Sequence, residues 1–298
     1  MAIRKLVVIG VGLIGGSCAL ALRSAGAVER IVGVGRGRAN LDAALRRGMI
    51  DAALTLDDDW TSELAAADVV LIATPVAQYP KLFDAIAAAM GPSTIVTDAG
   101  STKQDVVAAA CAAFGDAFPR FVPAHPIAGS ERSGAVAADA SLFAQRNVIV
   151  TPVQQTAADA LARVTSMWQA CGARVTAMSP LDHDHALAAV SHLPHVLAFV
   201  LVDELAARAN SDALFERAGT GFRDFTRIAG SSSEMWRDVA LANRDALLEE
   251  LDRYRAALDE ARQLLRNGDG RGLESLFERA ATARRRLDDP RPDESGAE

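Results

Sequence analysis

Lysine is scarce in this chain of 298 residues, which has only Lys5, Lys81 and Lys103. Every fixed positive charge after Lys103 therefore belongs to an arginine. The net charge is −7 and the sequence pI is about 5.3, so the chain lacks the basic balance that is typical of nucleic-acid-binding proteins. We expect no nucleic-acid partner.

Cysteine is equally scarce: Cys18, Cys111 and Cys171 are far apart, and their spacing matches no metal or redox motif. A sparse, odd set is typical of a reducing compartment. The apolar run that ends at Gly10 is too short to span a membrane and resembles a strand more than a signal peptide. We therefore expect a soluble, cytoplasmic protein without a membrane partner.

Apolar runs alternate with helical patterns over residues 1–180. The runs at 4–10, 30–35, 68–75 and 93–100 predict strands that are each followed by a helix, and 120–126, 146–152 and 173–179 predict further strands. This alternation predicts an α/β fold with a Rossmann-type, doubly wound parallel sheet. We assign residues 1–180 to a dinucleotide-binding domain.

The pattern changes after Pro180, because residues 181–288 contain no convincing strand. Helices are predicted at 181–209, 211–218, 232–267 and 270–288. Wide apolar stripes between many charges favour packing in a bundle or across a dimer seam. We predict an all-α substrate and dimerisation domain at 181–288, followed by a disordered polar tail at 289–298.

The stretch "VVIGVGLIGGS" contains a GxGxxG pattern between a predicted strand and a predicted helix. Gly10 permits the tight turn, Gly12 lets the backbone approach a pyrophosphate, and Gly15 permits close helix–strand packing. Leu13 and Ile14, between the second and third glycines, are assigned to the same cofactor site, and the free N–H groups of the helix that follows suit phosphate. The alternative is a strand–helix turn without a ligand.

The second predicted strand ends in "VGVGRGRAN", where NAD-binding proteins usually carry a carboxylate for the ribose. Here Arg36 and Arg38 take its place. Arginine attracts a 2′-phosphate, so we favour NADP over NAD; ordinary surface arginines are the alternative. Thr74 and Pro75, at the end of the next strand, complete the predicted cofactor site.

His125 lies between Pro123 and Pro126, in "FVPAHPIAGSERSG". Pro126 disfavours a helical conformation at His125, so the ring belongs to an extended segment that could hold a catalytic base. The other four histidines fall within residues 183–195, but their spacing matches no common ligand set, and we expect no metal. They are either buried or helix-capping side chains, or the polar wall of a substrate cleft.

Several motifs together make the chain resemble the prephenate/arogenate (cyclohexadienyl) dehydrogenases of tyrosine biosynthesis. They are the glycine loop, "HPIAGSERSG", "SHLPH" and "GFRDFTRIAGSSSEMW", in that order within residues 5–265. The resemblance implies NAD(P)-dependent oxidative decarboxylation of prephenate or arogenate by a homodimer joined through its helical domain.

The resemblance also implies roles for individual residues. His125 would bind the ring hydroxyl as the catalytic histidine, Ser101 would hold that hydroxyl and the nicotinamide, and Arg227 would bind the ring carboxylate. The residues implied around the substrate and its entrance are Glu131, His183, Asp184, His195, Arg223, Asp224 and Trp236.

Two other functions remain open from the residues. A β-hydroxyacid dehydrogenase combines the same two domain types, but it uses a catalytic lysine from the helical side, and this chain has none after Lys103. A non-catalytic dinucleotide-sensing dimer would need the glycine loop but neither His125 nor Arg227.

Overall fold

The computed structural model describes residues 3–129 and 132–287, and its main sheet has six parallel strands. These strands are β1 (Ile3–Ile9), β2 (Val28–Gly35), β3 (Ala52–Thr55), β4 (Val69–Ile72), β5 (Ile95–Asp98) and β6 (Phe121–Val122). Their order, β3-β2-β1-β4-β5-β6, is that of a doubly wound sheet. The predicted fold class is confirmed, although β3 had no clear strand pattern in the sequence.

Helices cover both faces of this sheet and produce two apolar cores. They are α1 (Leu13–Ser24), α2 (Arg38–Arg46), α3 (Tyr79–Ala89), α4 (Gln104–Phe114) and α5 (Ala158–Ala170). In β1, Leu6 and Val8 join one core, whereas Val7 and Ile9 join the other. A strand buried on both faces explains the continuous apolar runs of the sequence.

The strands after Val122 leave the main sheet and form a second one. It contains β7 (Ala124–Pro126), β8 (Asn147–Val150) and β9 (Arg174–Ala177). β7 pairs with β8 antiparallel, and β8 pairs with β9 parallel. Pro123 separates β6 from β7, and because proline has no N–H to donate, it interrupts the ladder there. Strands are present where the sequence predicts them after Val122. They form a separate sheet, however, and do not belong to the parallel main sheet.

Seven helices follow within the described residues after β9. They are α6 (Pro180–Leu187), α7 (Leu193–Ala206), α8 (Ser211–Glu216), α9 (Thr220–Thr226), α10 (Ser233–Ala242), α11 (Arg244–Asn267) and α12 (Gly270–Arg285). Short 3₁₀ turns lie at Thr61–Glu63, Val76–Gln78, Gly115–Arg120, Ala135–Ala137 and Arg227–Gly230.

Two predicted helices are interrupted. The predicted helix at 181–209 contains a π-helical turn at Ala188–His192, immediately before Pro194. The predicted helix at 232–267 breaks at Asn243. The Asn243 side chain hydrogen-bonds to the Asp184 carbonyl and to His192. The helix therefore breaks at a residue that makes tertiary hydrogen bonds.

The helical stretch Pro180–Ala206 is long and apolar enough to cross a membrane, judged by length and composition alone. One such stretch is weak evidence, because core helices of soluble proteins meet the same criterion. Here it carries His183, Asp184 and His192, which are buried in contact with other polar groups of the protein.

The chain divides into two compact units, Met1–Leu247 and Leu248–Glu298. The first unit contains both sheets and the helices as far as α10. The predicted domain boundary at residue 180 marks where the strands end, and as a domain boundary it stays a prediction.

Candidate active site

The glycine loop joins β1 to α1 at the centre of the main sheet. Gly10 has a φ of +99°, and a Cβ there would lie 2.5 Å from the Ala73 carbonyl oxygen. A Cβ on Gly15 would lie 2.2 Å from the Gly10 carbonyl oxygen. Both positions therefore require glycine, one for its backbone angle and one for close packing of helix against loop.

The space beside Gly12 is open, since a Cβ there would meet no atom within 4 Å. Gly12 is the N-cap of α1, and no side chain caps its N–H groups. Leu13 and Ile14 are the first two residues of that helix. An uncapped helix start beside open space fits the pyrophosphate of a dinucleotide.

The second part of the cofactor site lies where β1 and β4 are neighbours and the strand order reverses, which is where ligands bind in such sheets. Thr74 and Pro75 follow β4, and the Thr74 methyl would lie 3.0 Å from a Cβ on Gly10. Ser101 follows β5. The topology places all three at the carboxyl edge of the sheet, beside the glycine loop.

Arg36 and Arg38 are exposed after the end of β2. The Arg38 Nε donates to Asp42 Oδ1 at 3.1 Å, which is an i,i+4 pair on α2. The structure thus places both guanidinium groups at the strand end that reads the ribose in this fold.

His125 occupies the middle of β7, and a buried ion pair holds this strand to the main sheet. Asp98, at the end of β5, accepts from the Ala124 N–H at 3.0 Å and from Lys103 Nζ at 2.5 Å. The side chains of Asp98 and Lys103 are fully buried. Because the charges are paired and hydrogen-bonded, this pair can fix the residue next to His125.

A hydrogen-bonded relay extends from His125 into the protein. His125 Nδ1 lies 2.8 Å from His183 Nε2, and His183 Nδ1 lies 2.8 Å from Asp184 Oδ1. His183 and Asp184 are buried, whereas His125 keeps 9% of its surface exposed. The structure therefore places His183 and Asp184 in the protein interior, next to His125.

This relay determines which nitrogen of His125 can act as a base. The Asp184 carboxylate only accepts, so His183 Nδ1 must donate to it. In neutral His183, Nε2 is then the acceptor, and His125 Nδ1 must donate. The remaining nitrogen of His125, Nε2, carries the free lone pair. A histidine oriented by a second group in this way is the arrangement of a general base.

The local electrostatics favour the protonation states that a general base requires at the two ends of the relay, His125 and Asp184. Burial, followed by the neighbouring His183 and Lys103, holds the pKa of His125 well below its usual 6.5. Burial alone would raise the pKa of Asp184, but the hydrogen bonds from His183 and from the Lys103 and Gln104 amides lower it overall. The site thus combines a neutral imidazole with an ionised carboxylate near pH 7.

Asp184 also caps α4. Its two carboxylate oxygens accept from the Lys103 and Gln104 N–H groups at 2.9 and 2.8 Å. Ser101 could have capped this helix, but α4 begins at Gln104 and the cap comes from α6 instead. Ser101 is therefore not committed to capping.

His195 and Trp236 form a second aromatic group in this unit. Their rings are stacked at a centroid distance of 3.5 Å and an angle of 20°. Burial lowers the pKa of His195, and its Nδ1 lies 2.9 Å from the Ser191 carbonyl oxygen. Arg227 also lowers this pKa electrostatically, and the turn Arg227–Gly230 contacts α7, the helix that carries His195.

Two of the other predicted substrate residues are exposed on α9, which contacts α7, and the third is not among the described residues. Arg223 and Asp224 are exposed on α9, and the Arg223 Nε donates to the Ala218 carbonyl. Glu131 lies outside the described residues. Within 3–129 and 132–287, no three His, Cys, Asp or Glu side chains are grouped as metal ligands.

Sequence reasoning missed three residues that the structure places around His125 and Ser101. They are Asp98, Lys103 and Asn243. Asp98 and Lys103 flank "AGST" at the end of a buried strand, and two opposite charges beside such a run could have indicated them. Nothing in the sequence around Asn243 indicates its role, because its partners are about 50 residues or more away along the chain.

A doubly wound sheet, a glycine cradle at its switch point and an oriented neutral histidine define a dinucleotide-dependent oxidoreductase. Two family models refine this class: the prephenate dehydrogenase nucleotide-binding domain matches residues 18–177, and the prephenate dehydrogenase dimerization domain matches 179–279. The chain belongs to the prephenate dehydrogenase family.

Individual relatives agree with this family. The chain is 37% identical over 273 residues to prephenate dehydrogenase of Bacillus subtilis, which covers 91% of this chain and 72% of that protein. It is 33% identical over 285 residues to cyclohexadienyl dehydrogenase of Zymomonas mobilis, with 94% and 95% covered.

Solved structures show the same fold. Aquifex aeolicus prephenate dehydrogenase, in complex with hydroxyphenyl propionate and NAD⁺, has a TM-score of 0.90 at 31% identity, covering 96% of this chain and 99% of that one. Synechocystis arogenate dehydrogenase has a TM-score of 0.78 at 30% identity, with 95% and 99% covered.

Proposed function

We propose that this chain oxidises and decarboxylates prephenate, with His125 as the general base. The observation that carries the proposal is the His125–His183–Asp184 relay, because it leaves the His125 Nε2 lone pair free for a proton. The products are 4-hydroxyphenylpyruvate, carbon dioxide and the reduced dinucleotide.

In this proposal the protein moves one proton and fixes one carboxylate. His125 Nε2 accepts the proton of the ring hydroxyl as positive character develops on the carbon that bears it. His183 and Asp184 stabilise the resulting imidazolium, which returns the proton to the phenolate oxygen after the ring has lost carbon dioxide. The oxidised nicotinamide supplies the chemistry of a hydride acceptor when it is bound.

Arg227 is proposed to hold the ring carboxylate that leaves as carbon dioxide. A planar guanidinium binds a carboxylate through two parallel hydrogen bonds and so fixes the ring relative to the base. Binding that is too tight would oppose decarboxylation, so we assign Arg227 to positioning. Ser101 is proposed to share the ring hydroxyl with His125.

The preferred coenzyme is proposed to be NADP. Arg36 and Arg38 are exposed after β2, and residues 35–38 at this strand end include no carboxylate that would repel a 2′-phosphate; the nearby Asp42 is paired with Arg38. The test is a two-by-two kinetic matrix of prephenate and arogenate with NADP and NAD, followed by absorbance at 340 nm. The same matrix compares the keto and the amino side chain of the substrate.

Arg36→Ala probes the coenzyme preference directly. An exposed charged contact contributes about 1 kcal/mol, so we expect KM for NADP to rise about fivefold while KM for NAD stays nearly constant. Arg30→Ala, an exposed arginine at the other end of β2, is the matched control. Equal losses with both coenzymes in Arg36→Ala would contradict the NADP proposal.

The enzyme is further proposed to be a homodimer joined through its helical region, and to act in the cytoplasm. Support for the dimer comes from exposed apolar side chains at Leu248, Leu258, Leu265 and Phe277. The family model that matches 179–279 is that of a dimerization domain. The three free cysteines are compatible with a reducing cytoplasm.

A further inference from the structure

His192 is a buried histidine to which the proposed reaction assigns no role. It ends the π-helical turn Ala188–His192 and is only 1% exposed. π-helical turns occur frequently at functional sites. A buried imidazole has two nitrogens to satisfy, so the partners of each nitrogen are informative.

Asn243 fixes the tautomer of this imidazole. Its Nδ2 lies 2.7 Å from the Asp184 carbonyl oxygen, which can only accept, so this atom must be the amide nitrogen and not the oxygen. The same Nδ2 lies 3.1 Å from His192 Nδ1. The second amide proton is therefore donated to Nδ1, and in neutral His192 the ring proton resides on Nε2.

Burial keeps the ring neutral, since it lowers the pKa of His192 to about 4. His183 and His195 lower this pKa further, whereas Asp184 and the main chain of Ser101 raise it. A main-chain group raises a histidine pKa by accepting a hydrogen bond, and only its carbonyl can accept. The Ser101 carbonyl is thus close to the imidazole.

Nε2 nevertheless has no partner at full hydrogen-bond geometry within the part of the chain that the structure describes. A buried N–H without an acceptor is unfavourable, because it has lost its hydrogen bond to water. A small movement of residues 99–103, the Ser101 loop between β5 and α4, would bring an acceptor to this N–H.

We propose that His192 is a positioning residue for the reaction: when substrate and dinucleotide bind, its Nε2–H donates to the Ser101 carbonyl and holds the Ser101 hydroxyl in place. Asn243 keeps the imidazole in the donating tautomer. Since Asn243 also binds the Asp184 carbonyl, one amide group connects the Ser101 loop to the relay behind His125.

The tautomer can be tested without any enzymatic activity. Protein labelled with ¹⁵N-histidine is examined at pH 7 by long-range ¹H–¹⁵N correlation, and His192 is assigned as the signal that disappears in His192→Gln. We expect a neutral ring protonated on Nε2. A ring protonated on Nδ1, or on both nitrogens, would overturn the proposal.

The kinetic test rests on the proposed function. It compares substitutions that remove the donated hydrogen bond with substitutions that keep it. His192→Ala should lower kcat about tenfold, which corresponds to about 1.4 kcal/mol, with little change in the dinucleotide Kd. His192→Gln keeps an N–H near the Nε2 position and should stay within about threefold of wild type. His185→Gln, an exposed histidine on α6, is the matched control.

A double-mutant cycle identifies Ser101 as the target. If His192 acts through Ser101, Ser101→Ala with His192→Ala should be no slower than Ser101→Ala alone. Multiplicative losses, or full kcat in His192→Ala, would overturn the proposal. If wild type is inactive toward all four substrate–coenzyme pairs while the Nε2 tautomer is observed, the proposed function fails and the hydrogen-bond assignment stands.

Discussion

The two compact units differ in how they cover their apolar side chains. In residues 3–247 the sheet and its helices bury two large apolar cores, together with the ion pair and the histidine relay. In residues 248–287 no described side chain is buried, although Leu258, Leu265 and Phe277 are apolar. The first unit completes its own interior, whereas the second presents apolar surface that a partner can cover.

This difference predicts whether a single substitution should change catalysis or association. A change in the buried relay has no solvent to replace the lost group, so it should affect catalysis strongly. A change on an exposed helix face should leave the chemistry intact and affect association.

The largest effect is expected at His125. His125→Asn removes the base and should lower kcat about 1000-fold, since positioned acid–base groups contribute 10²–10⁴-fold. Dinucleotide affinity, measured by fluorescence titration, should stay near that of wild type. His185→Asn is the matched control, because this exposed histidine has no part in the relay. Retained activity in His125→Asn would eliminate the base assignment.

Asp184 should have the next largest effect, through the relay and not through substrate contact. Asp184→Asn removes the anion that orients His183 and caps α4, so kcat should fall about 100-fold. The melting temperature should also fall. Asp182→Asn, an exposed carboxylate on the same helix, is the control. A variant that loses stability but keeps kcat would restrict Asp184 to capping.

The second unit is probed by Phe277→Asp, a charge placed on an exposed apolar side chain of α12. If this face is covered in a dimer, the dimer Kd should rise more than about tenfold, as measured by analytical ultracentrifugation. Ser275→Asp places the same charge on the opposite face of the helix and should leave association unchanged. An unaltered dimer in Phe277→Asp would exclude this face from the interface.

The smallest expected effect is a displacement of the acid limb of the pH profile. Protonated His125 cannot accept a proton, and burial lowers its pKa, so the neutral fraction stays high as the pH falls below about 6.5. The midpoint of kcat/KM against pH should therefore lie below 6.5, with circular dichroism confirming that the protein stays folded. A midpoint at or above 6.5 would mean that another group limits activity.

Local patterns in the sequence determined the Rossmann-type sheet, the glycine cradle and the extended conformation at His125. Each depends on near neighbours: alternating runs, the φ of Gly10, and a proline after His125. His183 and Asp184 were identified as well, through the resemblance, as residues around the substrate and its entrance.

Only the tertiary structure decided what those side chains do. The relay joins residues 58 positions apart, and the Asp184 cap joins residues 80 and 81 apart. Hydrogen bonds of this kind depend on which loops the sheet brings to one edge. Local sequence patterns contain no information about that arrangement. For the same reason Asn243 is an ordinary helix residue in the sequence, yet in the fold it fixes the proton on His192.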